Sequence, residues 1–537
     1  MKKIFIIVTV LVFALGSCTS NFEDMNTDKK NPAVVPGEPL FSNAQKELAD
    51  YTSNTNVNIN IFKLMAQYWT ETTYIDEANY DLVTRNISAN IYFRLYLRVL
   101  TDLKEATKII GETEVLASEE AAKKNKLQII ELMNVYVYAH MVDVFGAIPY
   151  TDALDVENVY PKYDNGADIY KDLFVRINAA LANLDAGSGS FGSADLYYGG
   201  DVAAWIMFGN TLKVRMGITI ADADNAAAKT AIEAAAGKAF GSNSDDCLMG
   251  YLTSSPNFNQ LYADLVATGR HDFVPANTLV GKMSVLDDPR MAAYFADMQT
   301  VAWPKDEQNV RQNDSLFVEE PILFHYSDGS QKLVYPGALK TGGDDKFGIV
   351  VPQADTIYTI TYYIGGDYGY SNSFSQYSHI SDKVQAPDFE GIILTYSELC
   401  FYLAEAAERG YSVGGSAEEW YNKGIEASFD FWGVAGASTY LVKGIVAYNT
   451  APGTWKEKIG TQAWLANYTR GIEGYTTWRR LDYPIFNLPE QAVDYTDIPV
   501  RFTFPVNEQT LNADNYAAAA AAIGGDDIKT KIFWDKN

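Results

Sequence analysis

Apolar residues recur at spacings of three and four in two long blocks of the chain. In the first, Ile130, Met133, Val137, Met141 and Val144 fall on one face and predict a helix over 124–145 that Gly146 and Pro149 end. Asp201, behind Gly199-Gly200, reads as the N-cap of a second helix with Trp205, Phe208, Leu212 and Met216 on one side. In the second block the pattern predicts a helix over 394–409 that stops at Gly410. Ser416-Ala417-Glu418-Glu419 is a capping box and opens the next helix, which carries Tyr421, Ile425, Phe429 and Trp432 to Gly433. These last two make an antiparallel pair of tetratricopeptide size, although the tetratricopeptide consensus is absent. Segments 42–70, 89–110 and 167–184 also read as helical. The expected fold is therefore mainly α, a tetratricopeptide-like stack of helical pairs over 39–240 and 391–490. Between them, 241–390 is rich in Gly, Pro, Asp and Tyr and reads as a large irregular insertion of loops and small hairpins. The C-terminal region 491–537 reads as loop with a short Ala-rich helix at 517–522.

The N-terminus follows a different rule. Lys2 and Lys3 precede an apolar run over 4–15, shorter than the roughly 20 residues needed to cross a bilayer. Leu15-Gly16-Ser17-Cys18 then resembles a bacterial lipobox. Residues 1–17 are read as a lipoprotein signal peptide, Cys18 as the acylated N-terminus, and 18–38 as a polar tether. Composition supports lipid rather than charge as the membrane attachment. The chain has 42 Lys plus Arg against 68 Asp plus Glu, a net −26, which lacks the footprint of a nucleic-acid binder and is repelled by anionic lipid. With 3 Cys and 4 His in 537 residues, neither a disulfide scaffold nor a Cys/His metal site is expected. Secretion permits a bridge between Cys247 and Cys400, but Cys400 lies on an apolar helix and reads as a core residue.

Catalytic signals are missing. The chain holds no H-E-x-x-H, G-x-S-x-G or G-x-x-x-x-G-K-[ST], and Gly365-Gly366-Asp367-Tyr368-Gly369 lacks the strand–loop–helix frame of a phosphate cradle. Carboxylate pairs are too easily found among 68 acidic residues to argue for glycoside hydrolysis. No enzyme activity, cofactor or metal is expected. A binding signal is present instead. Segment 358–377 holds six of the chain's 36 tyrosines, interleaved with Asp367, Asn372 and Gln376. Flat aromatic faces stack on sugar rings while amides and carboxylates take the hydroxyls. The candidate ligand residues are Tyr363, Tyr368, Tyr370 and Asn372, with Trp303 in the same insertion. Tyr74 and Tyr80 join them from a loop between two early helices, near Asn79 and Arg85. The competing reading is that such tyrosines pack hairpins against helices. Arg215, Arg290, Arg479, Arg480 and Glu405 read as paired scaffold residues.

Several stretches in order resemble the SusD/RagB family of outer-membrane nutrient-binding lipoproteins, in its starch-binding-associated SusD-like branch. They are Asp143-Val144-Phe145-Gly146-Ala147-Ile148-Pro149-Tyr150, Pro161-Lys162-Tyr163-Asp164, Tyr198-Gly199-Gly200-Asp201 with Trp205 and Asn210 to Arg215, Asp288-Pro289-Arg290, Tyr335-Pro336-Gly337, Tyr396-Ser397-Glu398 with Ala404-Glu405-Ala406, and Trp478-Arg479-Arg480 with Tyr483-Pro484. Ala147 stands where the pattern often has Asp. The resemblance implies one SusD-like domain over 39–537, lipid-anchored to the outer membrane and facing the cell surface. It implies capture of an oligosaccharide and delivery to a SusC-like TonB-dependent transporter. Peptide capture for the same kind of transporter, or a structural lid that gates it, are the alternatives. Sugar sites in the family are implied to combine an early loop with the middle insertion, with no residue carried over singly.

Overall fold

The computed structural model describes residues 36–296, 299–303, 322–325, 331–334, 358–492 and 497–536. The signal, Cys18 and most of the tether lie outside the described residues, as does Tyr335-Pro336-Gly337. The mainly helical fold forms as expected, with further helices at Asn225–Ala235, Trp455–Ala466 and Gly471–Leu481 that the periodicity did not single out. Glu120–Phe145 packs on Gly166–Asn183, Val202–Thr219 on Asn225–Ala235, Tyr396–Glu408 on Ala417–Trp432, and Trp455–Ala466 on Gly471–Leu481. The two blocks join where Tyr396–Glu408 meets Val202–Thr219. Among the described residues no helix is long and apolar enough to cross a membrane.

The caps are where the sequence puts them. The Asp201 carboxylate accepts from the amides of Ala203 and Ala204, and Ser416 and Glu419 close a reciprocal box. Gly433 ends its helix in the left-handed conformation at φ +70, and Gly146 ends its own at a positive φ of +82 that glycine tolerates. Ion pairs hold the helices together. Arg290, wholly buried, bonds Asp288 (2.6 Å), Ser428 (2.9 Å) and Gln462 (2.9 Å). Arg480 and Arg409 both reach Glu405 at 2.9 Å. Cys247 and Cys400 are buried free thiols.

Three expectations need correction. The 42–70 helix is broken: Gly37–Ser53 and the short Phe62–Met65 flank a loop, and Trp69–Glu71 is a strand. Alternating Asn54, Asn56, Asn58 and Asn60 break it, because Asn side chains accept backbone amides two residues on and favour turns over helix. The Asn54 side chain accepts from the amide of Asn56 (2.6 Å), and the Asn60 side chain from that of Phe62 (3.0 Å). The 89–110 helix carries a π-helical turn, Phe93–Leu100, in its middle. The 241–390 insertion is more than a cover. It contains a helix, Asn277–Val285, and its strands pair far away. Phe273–Pro275 runs antiparallel to Trp69–Glu71, and Cys247–Met249 to Gly391–Leu394.

A candidate ligand cleft beside Tyr74

The pairing of Trp69–Glu71 with Phe273–Pro275 fixes the site. Past its end, the Thr72 amide donates to the Asp272 carbonyl (2.9 Å) and its hydroxyl to the His271 carbonyl (2.6 Å). A third segment lies against both. The Gly366 amide donates to the Pro275 carbonyl (2.8 Å), and the Asn372 amide to the Thr72 carbonyl (3.1 Å). Gly366 allows this approach, since a Cβ there would lie 2.6 Å from Val274.

Between these strands and the 54–60 loop opens a cleft. Its walls carry Asn56 and Asn58, Thr73 and Tyr74, Arg85, Asp264, Arg270 and Asp272. Tyr74 is 70% exposed, with its backbone left-handed at φ +58. Tyr80 (φ +68) and Asn86 (φ +50) repeat that conformation within one loop, a concentration of strain that is typical of binding sites. Exposed ring, amides, hydroxyls and carboxylates together can stack on a sugar face and satisfy its hydroxyls.

Acids outnumber bases beneath this wall. Glu71 and Glu77 are both buried, and Glu77 pairs with Arg85. The Glu71 carboxyl accepts the Ala78 amide (3.0 Å) and lies against Glu77, whose second oxygen has no other partner. Burial, reinforced by the Glu77 charge, pushes the Glu71 carboxyl up to about 9, so it is neutral at pH 7 and donates to Glu77. Both cleft guanidiniums are matched: Arg85 by Glu77 and Arg270 by Asp272 at 2.6 Å. The cleft therefore offers polarity without a net positive field.

The candidates from the sequence divide. Tyr74 lies in the cleft wall. Tyr370 is partly exposed, its hydroxyl donating to Glu490. Tyr363 is half-buried and meets Phe295 edge-on at 5.7 Å. Trp303 lies in a strand opposite Tyr358, and its side chain is outside the described residues. Tyr80, Tyr368 and Asn372 stand behind the cleft. Tyr80 is 1% exposed and packs 6.5 Å from Tyr368. Tyr368 is not the loop-tip ring its Gly-rich setting suggests: it is 3% exposed and its hydroxyl donates to the Leu64 carbonyl at 2.9 Å. Asn372 donates to the carbonyls of Glu71, Asp367 and Tyr370 and accepts the Asp367 amide, which uses its amide within the turn. Missing from the sequence reading were Asn56, Asn58, Asp264 and Arg270. Only the alternating asparagines carried a signal for them.

A stack of helical pairs thus holds a polar cleft in laced loops. A family model described as starch-binding and associating with the outer membrane matches residues 29–313 and 347–505, and the chain belongs to this SusD-like family of non-catalytic, glycan-binding outer-membrane proteins. Similar solved structures include a chitin-binding SusD homologue from Flavobacterium johnsoniae (23% identity, 93% of this chain and 98% of that one, TM-score 0.68). Others are a SusD homologue from Bacteroides uniformis (20%, 93% and 99%, 0.70) and a Bacteroidetes SusD-like protein (22%, 94% and 100%, 0.71). At these identities they establish the fold. No curated protein sequence matches the chain.

Proposed function

We propose that this protein captures a neutral oligosaccharide in the Tyr74 cleft and delivers it to a SusC-like TonB-dependent transporter. In this reading residues 1–17 are removed, Cys18 carries the lipid, and 18–38 tether one SusD-like domain to the outer membrane, facing outward. Tyr74 supplies the stacking face, and Trp303, Tyr363 and Tyr370 remain the further candidates from the insertion. Tyr80, Tyr368 and Asn372 hold the loops that carry it.

The observation that carries the reading is the cleft's composition: one exposed ring among amides and hydroxyls, with each guanidinium already matched by a carboxylate. A neutral, hydroxyl-rich ligand fits such a wall better than an anion does. The arginines and aspartates also suit peptide termini, so peptides belong in the test. Binding of the purified protein to an array of neutral glycans, acidic glycans and short peptides decides between them. α-Glucans and N-acetylglucosamine oligomers come first, from the family's description and the chitin-binding relative. Neutral glycan binding that Tyr74→Ala weakens is the expected result. Peptide binding alone, or transport lost on deletion with no ligand bound, would replace this reading with peptide capture or with a gating lid.

A further inference from the structure

A second cleft opens across the exposed turn at 269–272. Arg270, Asp272 and Phe273 line both clefts, so this turn is their common wall. The second cleft has an apolar base at Leu265 and Ile380 and three rings in contact, one pair stacked and one tilted. The His271 imidazole lies 4.1 Å from the Phe374 ring, and the His379 imidazole 3.8 Å from it at 12°. The ring nitrogen Nε2 of His379 is hydrogen-bonded to the Phe374 carbonyl at 2.9 Å, which fixes the stack before any ligand arrives. His271 is exposed at its end. Flat rings beside the polar groups of Asp382 and Gln385 repeat the chemistry of the first cleft with different residues.

We propose that this second cleft is a further sugar subsite, and that the ligand is a chain long enough to cross the 269–272 turn and occupy both. This rests on the oligosaccharide reading above. Joining two weak subsites through one ligand makes the second contact intramolecular, so affinity rises with chain length without any stronger individual contact.

Calorimetric titration of the purified full-length protein tests this with two- and six-unit oligomers of α-1,4-linked glucose and of N-acetylglucosamine. At least one series is expected to bind, with the six-unit oligomer at least tenfold tighter than the two-unit one. His271→Ala, a change at an exposed residue, should remove most of that gain and alter two-unit binding by less than twofold. Phe374→Ala should do the same, with its melting temperature checked alongside. Tyr74→Ala should weaken both lengths. Equal affinity for both lengths, or a gain that survives both second-cleft substitutions, overturns the proposal and leaves the Tyr74 cleft standing. Absence of binding in both series, or indifference to Tyr74→Ala, overturns the functional reading and the proposal together.

Discussion

Charge is buried both in the helical stack and under the Tyr74 cleft, but the two regions treat it differently. In the stack, carboxylates meet guanidiniums in matched sets. Glu398 and Glu473 lie among Arg215 and Arg470, Glu405 between Arg409 and Arg480, and Asp288 against Arg290. Burial alone would raise the Glu398 carboxyl, yet Arg470 and Arg215 hold it below the usual carboxylate range. Under the cleft, Glu71 and Glu77 share only Arg85, and one of them keeps its proton. The stack is balanced and built to stay folded. The cleft wall is unbalanced, and its loop of left-handed residues is held by hydrogen bonds between segments some 200 to 300 residues apart.

The largest effect should come from breaking a matched set. Arg290→Ala leaves Asp288 buried without its cation and should cost about 3–5 kcal/mol, read as a lower denaturant midpoint or failure to fold. Leu403→Ala and Leu212→Ala, each a buried cavity mutation in the stack, should cost about 2–5 kcal/mol by the same measure. Tyr368→Ala sharpens the comparison, since this ring belongs to the core although its segment belongs to the cleft. It should cost about 3–5 kcal/mol, whereas Tyr370→Ala, which loses one rim hydrogen bond, should leave the melting temperature nearly unchanged. Equal melting temperatures for these two variants would show that the 366–372 segment carries no stability.

A smaller effect is expected from pH. The folded Glu71 carboxyl binds its proton more tightly than in the unfolded chain, where it has an ordinary value. Its contribution is full at low pH and is lost as pH rises from about 4.5 through about 9. Glu71→Gln keeps a donor toward Glu77 and has no proton to lose. The stability difference between variant and wild type should therefore shift in the variant's favour between pH 5 and 9. A constant difference across that range would mean that Glu71 is already ionised. The smallest effect on stability belongs to Tyr74→Ala, within about 0.5 kcal/mol, because the exposed ring buries little.

The helices over 124–145, 167–184, 394–409 and 416–433, and the one opened by Asp201, were legible because their signals are local: a 3.6-residue period, Asp201 and Ser416 at N-caps, Gly146 and Gly433 at C-termini. The arginines were legible too, since a buried guanidinium needs acceptors: Arg290 and Arg480 find carboxylates, and Arg479 finds the carbonyls of Asp143 and Val500. What sequence could not show was distance. Nothing near Glu71 announces that it pairs with Phe273, or that Asn372 closes over both. The six tyrosines of 358–377 drew attention to that segment, but Tyr363, Tyr368 and Tyr370 do not line the Tyr74 cleft, and composition cannot tell an inward ring from an outward one. Tyr74 faces the cleft and Tyr80 the core, although both stand in one loop with left-handed backbones. The difference is set by partners such as Tyr368, which lie almost 300 residues away.

The claim that stability lies in the stack and recognition in the cleft is tested most directly by titrating one neutral oligosaccharide that binds against wild type and Tyr74→Ala, at low and high salt. Surface charge pairs are screened within about 8 Å at physiological ionic strength, whereas stacking and hydrogen bonds to hydroxyls are nearly indifferent to salt. The expected result is an affinity that changes little with salt in wild type and falls at least tenfold in Tyr74→Ala, at an unchanged melting temperature. Salt-sensitive binding that survives Tyr74→Ala would contradict both the place of the site and the chemistry assigned to it.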